Sequence, residues 1–242
     1  MIAVFTKELF GFLNSLIAYI VVGVFLTGTG LLMWVFPETS VLNYGYADME
    51  SLFSMGPYVF IFLIPAITMK SFAEERKLGT MELLLTKPLS DWDILFGKFL
   101  AALALVLFSL VPSLIYYYSV YQLGNPVGNL DSSGAVGSYI GLLLLGAIFC
   151  TIGLLASSLT NNQIVAFIMA AFLCFVFYTG FDSVSSLTLE GSTALFIKRL
   201  GILYHYESLS KGLIDSRDLV YFITLGGGFL LATKTVLSSR SW

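Results

Sequence analysis

Charge is what this chain of 242 residues has least of: 11% of it is Asp, Glu, Lys or Arg, against 57% hydrophobic residues. A water-soluble domain carries about a quarter charged residues. With less than half of that, the chain lacks the polar surface to enclose a compact core, and a soluble enzyme is excluded. The mean hydropathy of +0.90 agrees. Cysteine is scarce as well. Cys150 and Cys174 are the only two, each inside an uncharged apolar run, so a disulfide-stapled scaffold is excluded and each thiol reads as a small hydrophobe. Six prolines rule out low-complexity disorder. The single histidine, His205, has no cysteine or second histidine near it, so it lacks the ligand set of a metal site. Its neighbours Tyr204 and Tyr206 place it at a membrane boundary. No Gly-x-x-x-x-Gly-Lys-Ser/Thr loop occurs, so the chain has no phosphate cradle with which to hold ATP.

What the chain has instead is long apolar runs. A bilayer core about 30 Å thick needs about 20 mostly apolar residues of helix. Residues 16–36, 52–69, 99–120, 136–159 and 163–181 meet that without a charge, and 219–237 meets it with Lys234 alone, near its end. A lysine there snorkels to the headgroups. None of the runs alternates like a barrel strand. The reading is an all-α membrane protein with six transmembrane helices in one domain, 1–242.

Orientation follows from where lysine and arginine fall. The stretch 70–98 holds Lys70, Arg76, Lys77, Lys87 and Lys98, the N-terminal segment holds Lys7, and the C-terminal end holds Lys234 and Arg240. Connections 37–51 and 121–135 hold neither residue type. Both termini and the 70–98 loop are therefore expected in the cytoplasm. The connection 182–218 is expected outside, because an even number of spans requires it and its four cations are matched by Asp182, Glu190, Glu207, Asp215 and Asp218. Trp34 and Phe36 end the first span and Tyr116, Tyr117, Tyr118 and Tyr121 the third, as an outer aromatic belt would; Trp92 marks the inner one.

Ahead of the first span, Ile2, Phe5, Leu9, Phe12 and Leu13 recur at helical spacing, so the segment is expected to lie flat on the inner leaflet as an interfacial helix. The loop 70–98 reads KSFAEERKLGTMELLLTKPLSDWDILFGK. Gly79 interrupts a charged segment, and Thr80 is placed to cap a short helix with Glu82 in its favourable first turn. Leu78, Met81, Leu84 and Leu85 give that helix an apolar side, and Pro88 ends it. Ser90 with Asp93 forms a capping-box start for the third span. A short amphipathic helix held between two spans is suited to transmit a push from a soluble partner.

The order of these motifs resembles the permease subunit of ABC transporters of the ABC-2 type. The resemblance is carried by Lys7-Glu8-Leu9, by Phe72-Ala73-Glu74-Glu75-Arg76 with Gly79-Thr80-Met81-Glu82-Leu83-Leu84, and by Pro88 and Gly97-Lys98. Ser-Ser-Leu-Thr-Asn-Asn-Gln at 157–163 and Gly-Leu-Ile-Asp-Ser-Arg-Asp at 212–218 complete it. Within that family the chain looks most like the gliding-motility-associated permease of Bacteroidetes. The resemblance implies a half-transporter in a bacterial inner membrane, pairing with a second permease subunit, the same or different, above two ATP-binding subunits. ATP and magnesium would bind those partners and not this chain, which needs no nucleic acid and performs no chemistry. It further implies ATPase coupling through Glu74, Glu75, Arg76, Gly79, Thr80, Glu82 and Leu84, outer helices that dip back into the membrane within 182–218, and a subunit interface to which Gly23 and Gly28 belong. Phe196, Leu200, Leu203 and Tyr206 would supply the apolar face of such an outer helix.

Two other function classes stay open on the residues alone. An ion-coupled carrier normally needs an ionisable group inside a span, and the six runs offer only Lys234; prolines 57, 65 and 112 are expected to kink or break helices two and three, and broken helices could bind an ion by backbone carbonyls instead. A non-transporting membrane scaffold needs the same helices and no ATPase. Small residues mark helix contacts in either case: Gly137 and Gly141 in the fourth span, Gly226, Gly227 and Gly228 in the sixth. The orientation has a direct test. In intact cells a cysteine placed at Asn129 is expected to label with a membrane-impermeant maleimide and one at Lys77 is not; the reverse pattern would overturn the topology.

Overall fold

In lipid every backbone N–H and C=O needs a partner from within the segment or from a neighbour, and the chain answers with helices. The computed structural model describes residues 1–45, 47–81, 89–187 and 191–239, and no strand occurs among them. In order they are α1 (Ile2–Leu13), α2 (Leu16–Trp34), the short α3 (Val41–Tyr44), α4 (Glu50–Thr68), α5 (Ala73–Lys77), α6 (Asp91–Leu123) and α7 (Ser132–Leu159). Then come α8 (Gln163–Phe175), a π-helical turn (Val176–Gly180), α9 (Phe181–Leu187), α10 (Ser192–Leu200), α11 (Ile202–Leu209) and α12 (Ser216–Ser238). Six segments are long and apolar enough to cross a membrane, as the apolar runs require.

The helix ends differ from the apolar runs in ways that local chemistry explains. The third spanning helix, α6, is 33 residues long, because the Ser90/Asp93 capping box forms and starts it at Asp91, well before the apolar run begins. Lys98 therefore lies inside this helix and not in a loop. The fifth runs through the π turn and on past Phe181 to Leu187. Asn14 and Ser15 separate α1 from α2, with Ser15 in an extended conformation.

The prolines do not break their helices; Pro57 and Pro65 lie inside α4 and Pro112 inside α6. A proline in a helix leaves the carbonyl four residues earlier without its N–H donor. For Pro57 that carbonyl is Phe53 O, and the Tyr206 hydroxyl donates to it at 2.6 Å. A side chain of α11 thus replaces the bond that Pro57 removes.

The central helix is α7, which packs on α4, α6, α8, α11 and α12; its apolar window is 72% buried, against 17% for α12. The outward residues of α2, α8 and α12, such as Ile20, Phe172 and Ile223, form an apolar surface suited to lipid tails. The small residues of α7 serve contacts inside the subunit: a Cβ on Gly137 would lie 2.7 Å from Gly212 Cα, and one on Gly141 would lie 2.8 Å from Leu209 Cβ. Gly227 and Gly228 instead border open space, as do Gly23 and Gly28 of α2.

Between the π-containing span and α12, residues 192–209 form two helices, α10 and α11. Gly201 divides them, so Phe196, Leu200, Leu203 and Tyr206 do not make one apolar face. Phe196 on α10 is 65% exposed, whereas Tyr206 on α11 is 2% exposed in the core. His205 is not a loose boundary residue either. Its Nδ1 lies 2.7 Å from Asp218 Oδ1, its Nε2 3.0 Å from Arg199 O, and its ring stacks on Tyr221 with centroids 3.9 Å apart. These contacts pin α11 to the start of α12.

The Pro57–Tyr206 pairing has a measurable consequence. Tyr206→Phe strands the Phe53 carbonyl and is expected to destabilise the protein by about 1–3 kcal/mol. In a Pro57→Ala background the backbone N–H returns, and the same change is expected to be nearly neutral. Thermal unfolding of the four proteins in detergent checks this, and equal losses in both backgrounds would contradict it.

Candidate functional site

The basic end of the molecule is organised around one buried ammonium. The capping box starts α6, and Lys98 follows two helical turns later, 1% exposed. Gly97 beside it has no side chain, which lets α1 lie against α6: a Cβ there would come within 2.8 Å of Val4 Cβ. Val4 and Glu8 are four residues apart and so share a face of α1. That face brings Glu8 Oε1 to 2.9 Å from Lys98 Nζ.

The second carboxylate arrives from the other side. Ser157 of α7 accepts hydrogen bonds from the Phe72 and Ala73 N–H groups at 3.0 and 3.1 Å, and its hydroxyl donates to Met69 O at 3.0 Å. One side chain thereby fixes the bend between α4 and α5. The bend aims Glu75 inward, with Oε2 3.0 Å from Lys98 Nζ. The ammonium also donates to Ser71 O at 2.7 Å and sits 5.2 Å from the Phe72 ring centroid. Lys7 closes the cluster from the solvent side, 3.1 Å from Glu75 Oε1 and 3.6 Å from Glu8 Oε1. Burial works against the Lys7 charge, but its hydrogen bond to Glu75 and the attraction of both carboxylates outweigh that and hold its pKa above the ordinary lysine value. Two cations and two anions are balanced, and three elements far apart in sequence are tied: α1, the α4–α5 bend and α6.

Of the residues that the resemblance marks for coupling, the structure brings some to the surface and turns others inward. Glu75, 13% exposed, faces Lys98. Glu74 borders the cavity of about 310 Å³ that Lys7, Glu8, Lys70 and Lys98 help to line. Arg76 and Lys77 share a shallow depression with Asn161 and Asn162, in the turn between α7 and α8. Leu78, expected on an apolar helix side, is 67% exposed. Gly79 has φ +69° and turns the chain back. Thr80 is itself helical and its hydroxyl donates to Glu75 O at 3.3 Å, in place of the expected N-cap. Met81 is buried in a cluster with Phe72, Ile94 and Leu95. Glu82, Leu84, Leu85 and Pro88 lie outside the described residues.

Residues 76–80 thus form an open surface, and the Lys98 cluster lies directly behind it. Sequence reasoning placed Lys98 among loop charges and missed its role. Glu8 is 90 residues away, so no local spacing links the two, although both belong to motifs that carry the resemblance. At the same end, Lys234 Nζ sits 5.1 Å from the Trp92 ring centroid, so its charge is met by an aromatic face at the helix end.

Removing one member of the cluster leaves the others buried and unmatched. Lys98→Met is expected to destabilise by about 3–5 kcal/mol. The triple variant Lys98→Met, Glu8→Leu, Glu75→Leu is expected to be more stable than that single change, because no buried charge is orphaned. Thermal unfolding in detergent reads both, and a triple variant less stable than the single one would contradict the assignment.

Comparison with known proteins gives this geometry its context. Residues 40–224 match the family model described as ABC-2 family transporter protein. The chain is also similar to the probable multidrug ABC transporter permease YbhR of Escherichia coli (strain K12), 30% identical over 128 residues, which are 52% of this chain and 32% of the relative. The corresponding protein of Escherichia coli O157:H7 matches to the same extent. The similarity thus takes in about a third of the length of either relative. Since the family model spans most of the chain and six apolar helices carry it, the chain belongs to the ABC-2 family of transporter proteins.

Proposed function

We propose that this chain is the transmembrane permease subunit of an ATP-driven transporter, worked through residues 74–85 by a separate ATP-binding subunit that holds the ATP and magnesium. The observation that carries this reading is the Lys98 cluster. It locks the segment behind residues 76–80 to α1 and α6, so a partner pressing on the half-buried Arg76 and the exposed Lys77 and Leu78 moves three elements together. A loop whose only task was to fix topology needs positive charge and no such internal anchoring. In this reading Arg76, Gly79 and Thr80 form the docking surface with Glu82 and Leu84, while Glu75 acts from behind as an anchor.

The basic end lies in the cytoplasm, with both termini, in a bacterial inner membrane; the Lys and Arg distribution supports this. A second permease subunit, the same or different, packs on α2, where Gly23 and Gly28 leave the backbone open to close approach. Opening and closing of the ATPase pair rocks the spans and changes access between subunits. Export of an amphipathic or polymeric cargo fits the apolar, hydroxyl-bearing spans, and the printed description of YbhR as a multidrug permease is compatible with it. A place in gliding motility is the finer reading. Its support is the motif resemblance alone.

Co-expression with a cognate ATP-binding subunit tests the proposal. Retention of that subunit through purification is expected to fall at least severalfold on Arg76→Glu or on deletion of Gly79, with the six spans still folded. Undiminished retention by a folded variant would sink the assignment of this surface.

A further inference from the structure

The end of the molecule opposite Lys98 holds a larger cavity, of about 700 Å³, inside the range of roughly 300–1,000 Å³ typical of small-molecule sites. Its walls come from the first turns of α4 and α7, from α11, and from the π-helical turn. The charge there is one-sided: Asp48, Glu50, Asp131 and Glu207 against Lys211 alone.

Helix ends explain three of those carboxylates. Asp131 caps α7 by accepting from Gly134 N at 2.9 Å, Asp48 accepts from Glu50 N at 3.1 Å, and Glu50 stands in the first turn of α4. Glu207 has no such reason. It stands in the last turn of α11, the end of a helix that disfavours a negative charge, and among the described residues it makes no ion pair within 4.0 Å.

Tyr178 stands on the same cavity and is the second unexplained group. It is 1% exposed, and its hydroxyl has no hydrogen-bond partner among the described residues. The neighbouring Tyr206 is equally buried, yet its hydroxyl is satisfied by Phe53 O. Tyr178 lines the cavity, so its unpartnered hydroxyl is free to meet an occupant. Tyr178 also lies in the π-helical turn, and such turns are frequent at functional sites. Around it stand aromatic rings, Tyr58 at 5.6 Å and Tyr206 at 6.1 Å between centroids, both edge-to-face.

We propose that this cavity binds a monovalent organic cation with a bulky apolar or aromatic body. Glu207 supplies the counter-charge, the rings of Tyr58 and Phe53 supply the apolar walls and the attraction of aromatic faces for a cation, and the Tyr178 hydroxyl turns the negative end of its dipole to the cation. Anions are disfavoured by the surplus of carboxylates. The use of such a site in transport rests on the permease reading above, but the site itself is tested without any ATPase, so the two fail separately.

The test is equilibrium binding of radiolabelled tetraphenylphosphonium to the full chain in lipid nanodiscs, with empty nanodiscs subtracted for partitioning into lipid. Saturable binding is expected. Glu207→Gln is expected to weaken it on the order of tenfold, and Tyr178→Phe by about threefold. Lys211→Ala, which removes the one cation on the cavity wall among the described residues, is expected to tighten it severalfold, a change that loss of packing would not produce. Neutral triphenylphosphine oxide is expected not to compete. Absence of saturable binding, equal affinity in wild type and Glu207→Gln, or full competition by the neutral compound would each overturn the proposal.

Discussion

An ammonium group without water around it must be met by opposite charge and by hydrogen-bond acceptors, or the fold that buries it does not hold. Lys98 is such a group, and much of the basic end is arranged to satisfy it. Glu8 has to come from α1, which requires α1 to lie along α6 and therefore requires glycine at 97. Glu75 has to come from α5, which requires the chain to turn sharply after α4, and Ser157 holds that turn by three hydrogen bonds. The Ser71 carbonyl is the third acceptor, so the backbone of the bend is itself part of the cluster. The Phe72 ring lies against the ammonium and packs in turn with Ile94 and Leu95. Each of these residues is placed by the same requirement.

The far end is held by different means. There the short helices α10 and α11 return toward the core, and α11 is attached through groups that the helices around it leave unsatisfied. Tyr206 serves the carbonyl that Pro57 frees, and Ser138 of α7 donates to Ser210 O at 2.7 Å. His205 bridges Asp218 and the Arg199 carbonyl. Glycine contacts at 137 and 141 then let α11 and its following turn sit directly on α7. Apart from the His205–Asp218 contact these bonds are neutral as well as directional, so they fix position without burying further charge. The cavity forms where they stop, between α11 and the mouths of α4 and α7.

How much of this is legible in the sequence depends on range. The six spans are legible because lipid forces apolar length on each one independently, and the start of α6 is legible because a capping box is a contact across three residues. The Lys98 cluster is not. Glu8 and Glu75 read as ordinary surface charges until α1 and the bend are seen to converge on α6, and nothing in the spacing of residues 7, 75 and 98 predicts that. The division of α10 from α11 at Gly201 escapes for another reason: Phe196, Leu200, Leu203 and Tyr206 do recur at helical spacing, and one glycine in an extended conformation is enough to send the two pairs to different surroundings. The π turn that carries Tyr178 has no local mark either, since Val176-Phe177-Tyr178-Thr179-Gly180 simply continues an uncharged run.

The path between the two ends follows from the same contacts. Helix α4 begins at the far cavity with Glu50 and Phe53 and ends at the bend that Ser157 holds, about 28 Å away at 1.5 Å per residue. Two prolines lie within it, and each removes an N–H that would otherwise stiffen the helix. At Pro57 the lost bond is replaced from α11, so any tilt of the upper part of α4 acts on α11 through Tyr206. The lower part is tied to α1 and α6 through Lys98. A ligand in the far cavity can bias such a movement only by the difference between its affinities for the two positions, and the groups able to supply that difference, Glu207 on α11 and Tyr58 on α4, stand on the two helices that the Tyr206 bond joins.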